Sequence, residues 1–330
     1  MQSSSNLFPV ALISAERRGD LSEDVYRLKP GNSPDYSVEL AVTRLGMADA
    51  TEAARGVPVI LLHGSFSNRR FWYSPKGLGL GAYLTRLGFD VWIPEMRGHG
   101  LSQRNQDYRK NRVADYARYD LPAIGAFVRE QSGQVPHWIG HSLGGITLAA
   151  ALGGHYLGEP AVASVALFGT QVSRTYWPLK IPPVEWSGRF ILKRFAQLSG
   201  SRLKRGPEDE PIGLALESMR WYGLFGRFGD AEKNWWAGLA DVQVPVLAVS
   251  AVGDHQDPSW ACRKLFEQIG SEHKQFVCLG REHGFSDDFG HVEMLVSKAA
   301  HAEVWPLVAR WLEDQGTPAA ASQPILAEAV

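Results

Sequence analysis

Short apolar runs alternate with longer helical patterns along most of the chain, and this alternation limits the possible folds more than any other feature. The runs after residue 55 are rich in β-branched side chains, as buried strands are. They cover residues 59–62, 90–93, 137–139, 162–168, 244–250 and 275–279. Helical patterns lie between them, at residues 81–87, 115–131 and 145–152. Because strands that alternate with helices form a mostly parallel sheet with helices on its faces, the sequence predicts an α/β fold.

The two ends of the chain depart from this pattern. Residues 36–45 alternate loosely between apolar and polar side chains, which predicts an antiparallel edge strand. Residues 300–314 predict the last helix, with a kink or break at Pro306 because proline lacks the backbone N–H of a regular helix. Residues 317–330 are rich in alanine and polar residues, and we expect them to form a loose tail.

The composition is that of a globular protein and makes several classes of function improbable. At 330 residues and 45% hydrophobic content, the chain can bury one large core. The 34 Lys and Arg balance 35 Asp and Glu, which argues against a nucleic-acid partner. Cys262 and Cys278 lack metal-ligand spacing and predict free thiols, as in a reducing compartment. Since we find neither a signal-peptide pattern nor a run of roughly 20 apolar residues, we predict a soluble, cytoplasmic protein.

One segment interrupts the strand pattern and accumulates aromatic side chains, from residue 171 to about residue 240. A structureless loop of that length is uncommon in a compact domain. We therefore predict a helical cap at 171–240, inserted between two parts of an α/β core at 1–170 and 241–316. Such a cap would lie over the carboxyl edge of the sheet, where open α/β folds bind their ligands.

The stretch W-I-G-H-S-L-G-G, residues 138–145, contains a candidate nucleophile. Ser142 follows a predicted strand and precedes a predicted helix, so it would lie at a sharp corner whose helix N-terminus favours developing negative charge. Gly140 and Gly144 would leave room for the close approach of strand and helix. Taken alone, the same pattern is equally compatible with an ordinary glycine-rich turn.

A second stretch, V-P-V-I-L-L-H-G-S-F-S-N at 57–68, leads a buried strand into a loop that would face this corner. In a hydrolase of this architecture the loop donates one backbone N–H to an oxyanion, and the residue after the nucleophile donates another. The candidate donors are Ser65, with Phe66 as the alternative, and Leu143. We expect His63 to hold the loop in place and to take no direct part in chemistry.

With R-G-H-G-x-S at 97–102 added, the motifs H-G-S, R-G-H-G-x-S and G-H-S-L-G-G in this order resemble the α/β-hydrolase superfamily. The stretch from F-W-Y-S to Y-D-L-P-A, 71–123, is similar to the acid-lipase branch. The C-terminal stretch, from G-H-V-E-M-L-V to V-W-P-L-V-A-R-W-L, resembles polyhydroxyalkanoate-synthase-like relatives. The resemblance covers roughly 55–170 and 240–313, and implies an α/β-hydrolase fold with a catalytic serine, acid and histidine in that chain order.

The resemblance also implies positions for the acid and the histidine. The family pattern G-x-x-D-x-x-x-P is met by A-V-G-D-H-Q-D-P at 251–258, with alanine in place of the first glycine, and favours Asp254. Asp257 stays an alternative because the shifted glycine leaves the register open, although an Asp before proline is also a natural turn former. The family's G-H pair corresponds to Gly290-His291, with His283 as the runner-up and His301 expected at the surface of a helix.

This constellation predicts an esterase or lipase-like serine hydrolase that cleaves lipid-like or medium-chain esters with an apolar acyl group, using Ser142, His291 and Asp254. Its mechanism requires neither a cofactor nor a metal. An acyltransferase and a thioester or amide hydrolase would use the same residues, although polyester synthases carry cysteine where this chain has serine. A binding protein that kept the fold is the alternative outside enzymes.

The predicted cap contains one amphipathic stretch with a basic face, residues 184–198. As a helix it would place a broad apolar face on one side, made of Trp186, Phe190, Ile191, Phe195 and Leu198. Basic side chains, such as those of Arg189 and Lys193, lie outside that face. This pattern is typical of an ordinary cap helix, and also of a lid that contacts an anionic membrane.

Overall fold

The computed structural model describes residues 3–50, 55–174 and 176–316, and its central feature is a nine-stranded sheet. The strands in chain order are β1 Val10–Arg18, β2 Leu21–Leu28, β3 Leu40–Met47, β4 Pro58–Leu62, β5 Asp90–Glu95, β6 His137–His141, β7 Val165–Phe168, β8 Gln197–Leu198, β9 Glu210–Pro211, β10 Val246–Ala251 and β11 Lys274–Leu279. The large sheet has the order β1-β2-β3-β5-β4-β6-β7-β10-β11, and β8 pairs with β9 separately. From β5 to β11 its strands are parallel, so their carboxyl ends meet at one edge.

The predicted α/β class and all six predicted core strands are confirmed. Strands β4 and β6 are buried at every position, which explains the continuous apolar sequence of β4. The strand predicted at 36–45 corresponds to β3 and is antiparallel, but the expectation that it forms the edge was wrong. A hairpin of β1 and β2 covers it, and β1 is the edge strand with most of its side chains at least partly exposed.

Helices pack on both faces of the sheet. They are α1 Leu80–Arg86, α2 Val113–Asp115, α3 Leu121–Ser132, α4 Leu143–Gly153, α5 Pro182–Leu192, α6 Ile212–Tyr222, α7 Trp235–Gly238, α8 Ser259–Gln268, α9 Glu293–Val296 and α10 Lys298–Gly316. One apolar cluster joins α3 and α4 to the sheet, and a second joins α1 and α10 to its other face.

The last helix shows where packing outweighs local preference. The break predicted at Pro306 does not occur, since α10 runs without interruption through that residue. Neighbouring side chains on α10, Val304 and Val308, are fully buried in the second apolar cluster. Burial of this face stabilises the helix against the roughly 3 kcal/mol that a proline costs in a helix interior. The predicted tail at 317–330 lies outside the described residues.

Residues 171–240, here called the cap segment, leave the sheet after β7 and return before β10. They carry α5, α6, α7 and the small β8–β9 pair. The helix predicted at 184–198 is shorter than expected, because α5 ends at Leu192 and the last two residues belong to β8. Trp221, Phe228 and Trp235 contact one another edge to face, with ring centroids 5.0–5.8 Å apart. All three belong to the apolar cluster that includes α3 and α4, so the C-terminal part of the segment packs on the core.

Candidate active site

Ser142 lies at the corner between β6 and α4, at the carboxyl edge of the sheet. Its backbone has φ 52° and ψ −116°, a conformation that costs on the order of 1–3 kcal/mol for a residue with a side chain. Two hydrogen bonds hold it there: its N–H donates to the carbonyl of Phe168 and its carbonyl accepts from Ile146, both at 2.9 Å. The surrounding structure therefore imposes the strained corner that the motif suggested.

The two glycines beside this corner are required for close packing. A Cβ on Gly140 would lie 2.6 Å from the backbone nitrogen of Gly145, inside van der Waals contact. A Cβ on Gly144 would lie 2.5 Å from the carbonyl oxygen of Leu62 on the neighbouring strand. Any larger residue at either position would push α4 away from the sheet.

His291 and Asp254 form an ion pair beside Ser142. The Nδ1 of His291 lies 2.7 Å from Oδ2 of Asp254, which is 1% exposed. The other oxygen of Asp254 accepts the backbone N–H groups of Gln256 and Asp257, at 3.0 and 2.8 Å. Burial alone would lower the pKa of His291, but its hydrogen bond to Asp254 and the nearby negative charges outweigh burial and raise it. An oriented imidazole of this kind can act as a general base.

The alternative acid, Asp257, lies farther from the imidazole. Its Oδ2 is 3.6 Å from Nδ1 of His291, and its Oδ1 accepts a hydrogen bond from the side chain of Gln171 at 2.9 Å. Burial raises the pKa of Asp257, so its charged form is less favoured than in water. The geometry therefore favours Asp254 as the partner of the histidine.

The other two histidines considered from the sequence do not reach this site. His283 lies in a turn after β11 and pairs with the neighbouring Glu282, 3.3 Å away. His301 lies on α10 and packs against Trp305, with ring centroids 4.4 Å apart.

His141, the residue before Ser142, supports the position of His291, and the sequence reasoning did not assign it a role. Its Nε2 donates to the backbone carbonyl of His291 at 2.9 Å, and its ring stacks on Phe71 at 4.7 Å. Burial lowers the pKa of His141 to about 3, so the ring is neutral at physiological pH. The only signal in the sequence was its place within G-H-S.

The loop after β4 faces the same corner and is pinned by His63. The ring donates from Nδ1 to the carbonyl of Gly64 at 2.9 Å, and its Nε2 accepts the N–H of Met96 at 3.2 Å. Burial lowers the pKa of His63 to about 3, which keeps it in this neutral tautomer. Both nitrogens are thus engaged in backbone hydrogen bonds, as a loop-holding role requires.

Two backbone N–H groups near Ser142 are free for a ligand. Those of Ser65 and Leu143 donate to no described residue, and Leu143 is the first residue of α4, where N–H groups lack helical partners. By contrast, the N–H of Phe66 donates to Oε1 of Glu210 at 2.6 Å. This contact makes Phe66 the poorer candidate for an oxyanion donor.

Glu210 belongs to the cap segment and forms a second histidine–carboxylate pair. Its Oε2 lies 3.2 Å from Nε2 of His99, a wholly buried residue of the R-G-H-G turn. Burial alone would lower the pKa of His99, but the charge of Glu210 outweighs it and raises the pKa. Nearby, Glu208 accepts a hydrogen bond from the side chain of Asn68 at 2.6 Å, and its N–H donates to the carbonyl of Phe66 at 3.0 Å. The acidic run at 208–210 therefore fastens the cap segment to the loop after β4.

A cavity of about 850 Å³ opens over Ser142. The core contributes loop residues on either side of the corner, including Ser65, Phe71 and His291. The cap segment contributes Arg174, Tyr176, Lys204, Arg205, Gly206, Pro207 and Tyr222. Within the described residues, no group of three or more His, Cys, Asp or Glu is placed to hold a metal ion, and no helix is long and apolar enough to cross a membrane.

Comparison of the sequence with known proteins shows which families it is similar to. The sequence model for the alpha/beta hydrolase fold matches residues 57–205. Among curated proteins, the chain is 32% identical over 116 residues to mouse (Mus musculus) lipase member N, covering 32% of this chain and 29% of the relative. It is 30% identical over 119 residues to human (Homo sapiens) gastric triacylglycerol lipase, covering 33% and 30%. The matched region thus spans about 30% of the length of these two relatives.

Solved structures share the fold over most of the chain. An esterase from Thermogutta terrifontis aligns with a TM-score of 0.58 at 19% identity, covering 87% of this chain and 97% of the other. A monoacylglycerol lipase from Paleococcus ferrophilus also aligns with a TM-score of 0.58, at 17% identity, covering 84% and 99%. The protein has the α/β-hydrolase fold. The sequence matches add that residues 57–205 resemble the alpha/beta hydrolase family and that both curated relatives named above are lipases.

Proposed function

We propose that this protein is a serine hydrolase that cleaves carboxylic esters through an acyl-enzyme. One observation carries the proposal: His291 is hydrogen-bonded to the buried carboxylate of Asp254 in the cavity where Ser142 occupies a strained corner. The similarity to lipases and esterases supports an ester as the bond that is cleaved. The non-catalytic alternative is disfavoured because all three positions of the triad are filled.

In the proposed mechanism, His291 accepts the hydroxyl proton of Ser142 while the serine oxygen attacks the acyl carbonyl. Asp254 keeps the proton on Nδ1 of the imidazole and stabilises the imidazolium. The N–H groups of Ser65 and Leu143 stabilise the oxyanion, each by on the order of 3 kcal/mol. His291 then protonates the leaving alcohol, and in the second half it deprotonates the water that hydrolyses the acyl-enzyme.

The decisive test compares Ser142→Ala with Ser67→Ala, a second serine that lines the same cavity. Ser142→Ala should abolish turnover of p-nitrophenyl esters and labelling by a fluorophosphonate probe, whereas Ser67→Ala should retain both. Turnover by Ser142→Ala at the wild-type rate would refute the assignment. Parallel assays with a thioester, an anilide and an alcohol acceptor would show whether hydrolysis of oxygen esters is the preferred reaction.

The lining of the cavity supports an apolar acyl group in the substrate. Phe66, Phe71, Tyr176, Tyr222 and Val292 contribute apolar surface next to Ser142. We expect kcat/KM to rise with acyl length from acetate to medium-chain esters, because each buried methylene adds roughly 0.8 kcal/mol of binding. A flat series would contradict an apolar acyl site.

We further propose that the cap segment contacts anionic membranes. Among the residues that the structure describes, eleven of the 22 exposed large hydrophobic side chains lie within it, although it is about a fifth of the chain. Trp186 and Phe190 on α5 are 65% and 62% exposed. Residues 174–205 contain eight Lys and Arg against one acidic residue, Glu185, which is buried and paired with Arg189 at 3.2 Å. Exposed aromatic side chains beside unbalanced positive charge suit a lipid surface with negative head groups.

Co-sedimentation with vesicles tests this contact. Binding should be strong to vesicles containing phosphatidylserine, weak to pure phosphatidylcholine, and reduced by salt. Trp186→Ser with Phe190→Ser should weaken binding, whereas Leu78→Ser with Leu87→Ser, a pair of exposed apolar residues on the core, should not. Equal binding to neutral vesicles would remove the electrostatic part of the proposal.

A cytoplasmic location remains our prediction and rests on the cysteines. Cys262 and Cys278 are both free thiols, which is typical of proteins from reducing compartments. Fractionation of the producing cells would test it. The net charge of the chain is near zero, which argues against a nucleic-acid partner, and we expect none.

A further inference from the structure

The cavity over Ser142 has an unbalanced charge, which a neutral ester would not use. Three cationic side chains line it, those of Arg174, Lys204 and Arg205. The only carboxylate among the other lining side chains is that of Glu293. All three cations come from the cap segment.

The three cations differ in how far their charge is already satisfied. Arg174 is engaged, since its guanidinium donates to the backbone carbonyls of His255 and Gln256. Arg205 uses one nitrogen to donate to the side-chain oxygen of Gln256 at 2.8 Å, which is a neutral acceptor. Lys204 has no hydrogen bond or ion pair from its ammonium group to any described residue. Within the described residues, neither Lys204 nor Arg205 therefore forms an ion pair with a carboxylate.

The turn that carries this pair is fixed relative to the catalytic corner. Lys204 has φ 53°, a left-handed conformation that a side chain disfavours and that persists only where neighbours impose it. Its N–H donates to Ser201 at 3.2 Å, and that of Arg205 donates to Gly200 at 2.9 Å. A Cβ on Gly206 would overlap the carbonyl oxygen of Phe66, so the turn packs directly against the loop after β4.

This packing joins the turn to the loop that carries the proposed oxyanion donor. Phe66 follows Ser65, that donor, and the N–H of Glu208 also donates to the carbonyl of Phe66 at 3.0 Å. Backbone contacts thus hold the turn against the loop after β4, while the Arg205 side chain reaches Gln256 in the loop after β10. Charge-assisted hydrogen bonds to carboxylate or phosphate oxygens are stronger than those between neutral groups, and a cavity wall screens them less than open solvent does.

We propose that Lys204 and Arg205 bind a carboxylate or phosphate group of the substrate, so that the enzyme prefers esters with a negative charge close to the scissile bond. This inference rests on the proposed ester hydrolysis at Ser142 and names the class of substrate for that same site. The acyl chain would occupy the aromatic part of the cavity, and the anionic group would face the turn at 200–206.

Two matched pairs of soluble esters test the proposal. p-Nitrophenyl butyrate is compared with the p-nitrophenyl monoester of glutaric acid, and 1-butyrylglycerol with 1-butyrylglycerol 3-phosphate. The wild type should show a kcat/KM at least about tenfold higher for the anionic member of one pair or both, and this preference should shrink as salt is added. The pair that shows the larger preference identifies carboxylate or phosphate as the group that is bound.

Variants show whether this turn is responsible. Lys204→Ala with Arg205→Ala should reduce the ratio of anionic to neutral kcat/KM by about tenfold or more. The control is Arg202→Ala with Arg227→Ala, which removes two exposed positive charges outside the cavity and should keep the ratio. Thermal melting of both double variants verifies folding.

Two results would overturn the proposal: a wild type that shows no preference for the anionic member of either pair, or a preference that survives in the Lys204 and Arg205 double variant. Either can occur while p-nitrophenyl butyrate is still hydrolysed in a Ser142-dependent way. A failure of ester hydrolysis itself would instead appear as no turnover of any of the four esters.

Discussion

Two of the histidine–carboxylate pairs among the described residues have opposite surroundings. His291 and Asp254 come from loops after core strands, 2.7 Å apart, with the histidine lining the cavity over Ser142. His99 and Glu210 are 3.2 Å apart, with no exposure of the histidine, and they join the core to the cap segment. The same chemical groups can therefore supply a proton acceptor to a substrate or connect two parts of a fold, and access to the ring decides which.

Replacing the two histidines should separate these roles most clearly. His291→Ala should lower kcat/KM for esters by about 10⁴-fold or more. It should lower the melting temperature less than His99→Ala does, because the carboxylate of Asp254 keeps two backbone N–H donors. His99→Ala leaves the buried carboxylate of Glu210 unpaired, so it should destabilise the fold by roughly 3–5 kcal/mol and retain far more activity at low temperature. Kinetics at 15 °C with thermal melting would measure both, and equal activity losses would undo the distinction.

The two neighbouring acids provide a second contrast. Asp254→Asn should reduce kcat by about 10⁴-fold, because an amide no longer favours the imidazole tautomer that Ser142 requires. Asp257→Asn should cost less than about tenfold, since its carboxylate is 3.6 Å from the imidazole and accepts from Gln171. If the two effects were reversed, Asp257 would be the acid of the triad.

Glu210 should affect catalysis through the loop after β4. Glu210→Ala removes the acceptor for the N–H of Phe66, so the neighbouring donor Ser65 loses its support and kcat should fall by about tenfold. Glu210→Gln keeps an oxygen at that position and should recover most of the loss in kcat. A purely structural role would instead lower stability in both variants and leave kcat unchanged.

Catalytic activity and stability should respond to pH in opposite directions. Activity needs neutral His291, so kcat/KM should rise with pH through a pKa above the ordinary value of about 6.5, and Asp254→Asn should move this limb to lower pH. The pKa of His99 is raised on folding, so its pair stabilises fully below about pH 6.5 and less as pH rises through the folded value. Melting curves from pH 6 to 9 should show this decline in the wild type and a smaller one in His99→Gln.

Local patterns allowed the fold class, the core strands and the corner at Ser142 to be predicted. Buried parallel strands are continuously apolar, and a serine between glycines at a strand–helix junction leaves a compact motif, so each is visible within a few residues. The β1–β2 hairpin was missed because β1, an edge strand, has little apolar alternation. The expected order of serine, acid and histidine came from family resemblance. The structure brings Ser142 and His291 to one cavity and Asp254 into hydrogen-bond contact with His291, while their catalytic roles remain predictions.

The remaining features depend on contacts between distant segments. Glu210 meets Phe66 across 144 positions of the chain, and His141 meets His291 across 150. Nothing in the local sequence around either residue specifies such a partner. The one available signal for Glu210 was that three acidic residues, 208–210, closely follow the basic stretch at 174–205. Such a run would have indicated a buried ionic contact but not the residue on the other side of it.

The attachment of residues 206–210 to the loop after β4 has a consequence for how substrate reaches Ser142. Any movement that lifts this part of the cap segment also withdraws Glu210 from the N–H of Phe66 and Glu208 from Asn68. If the cavity opened on this side, the proposed oxyanion donor in the loop after β4 would lose its support. The site would then be inactive. Hydrolysis would become possible only after the segment had closed again over a bound ester, so closure would serve as a check that the ester is seated before bond cleavage begins.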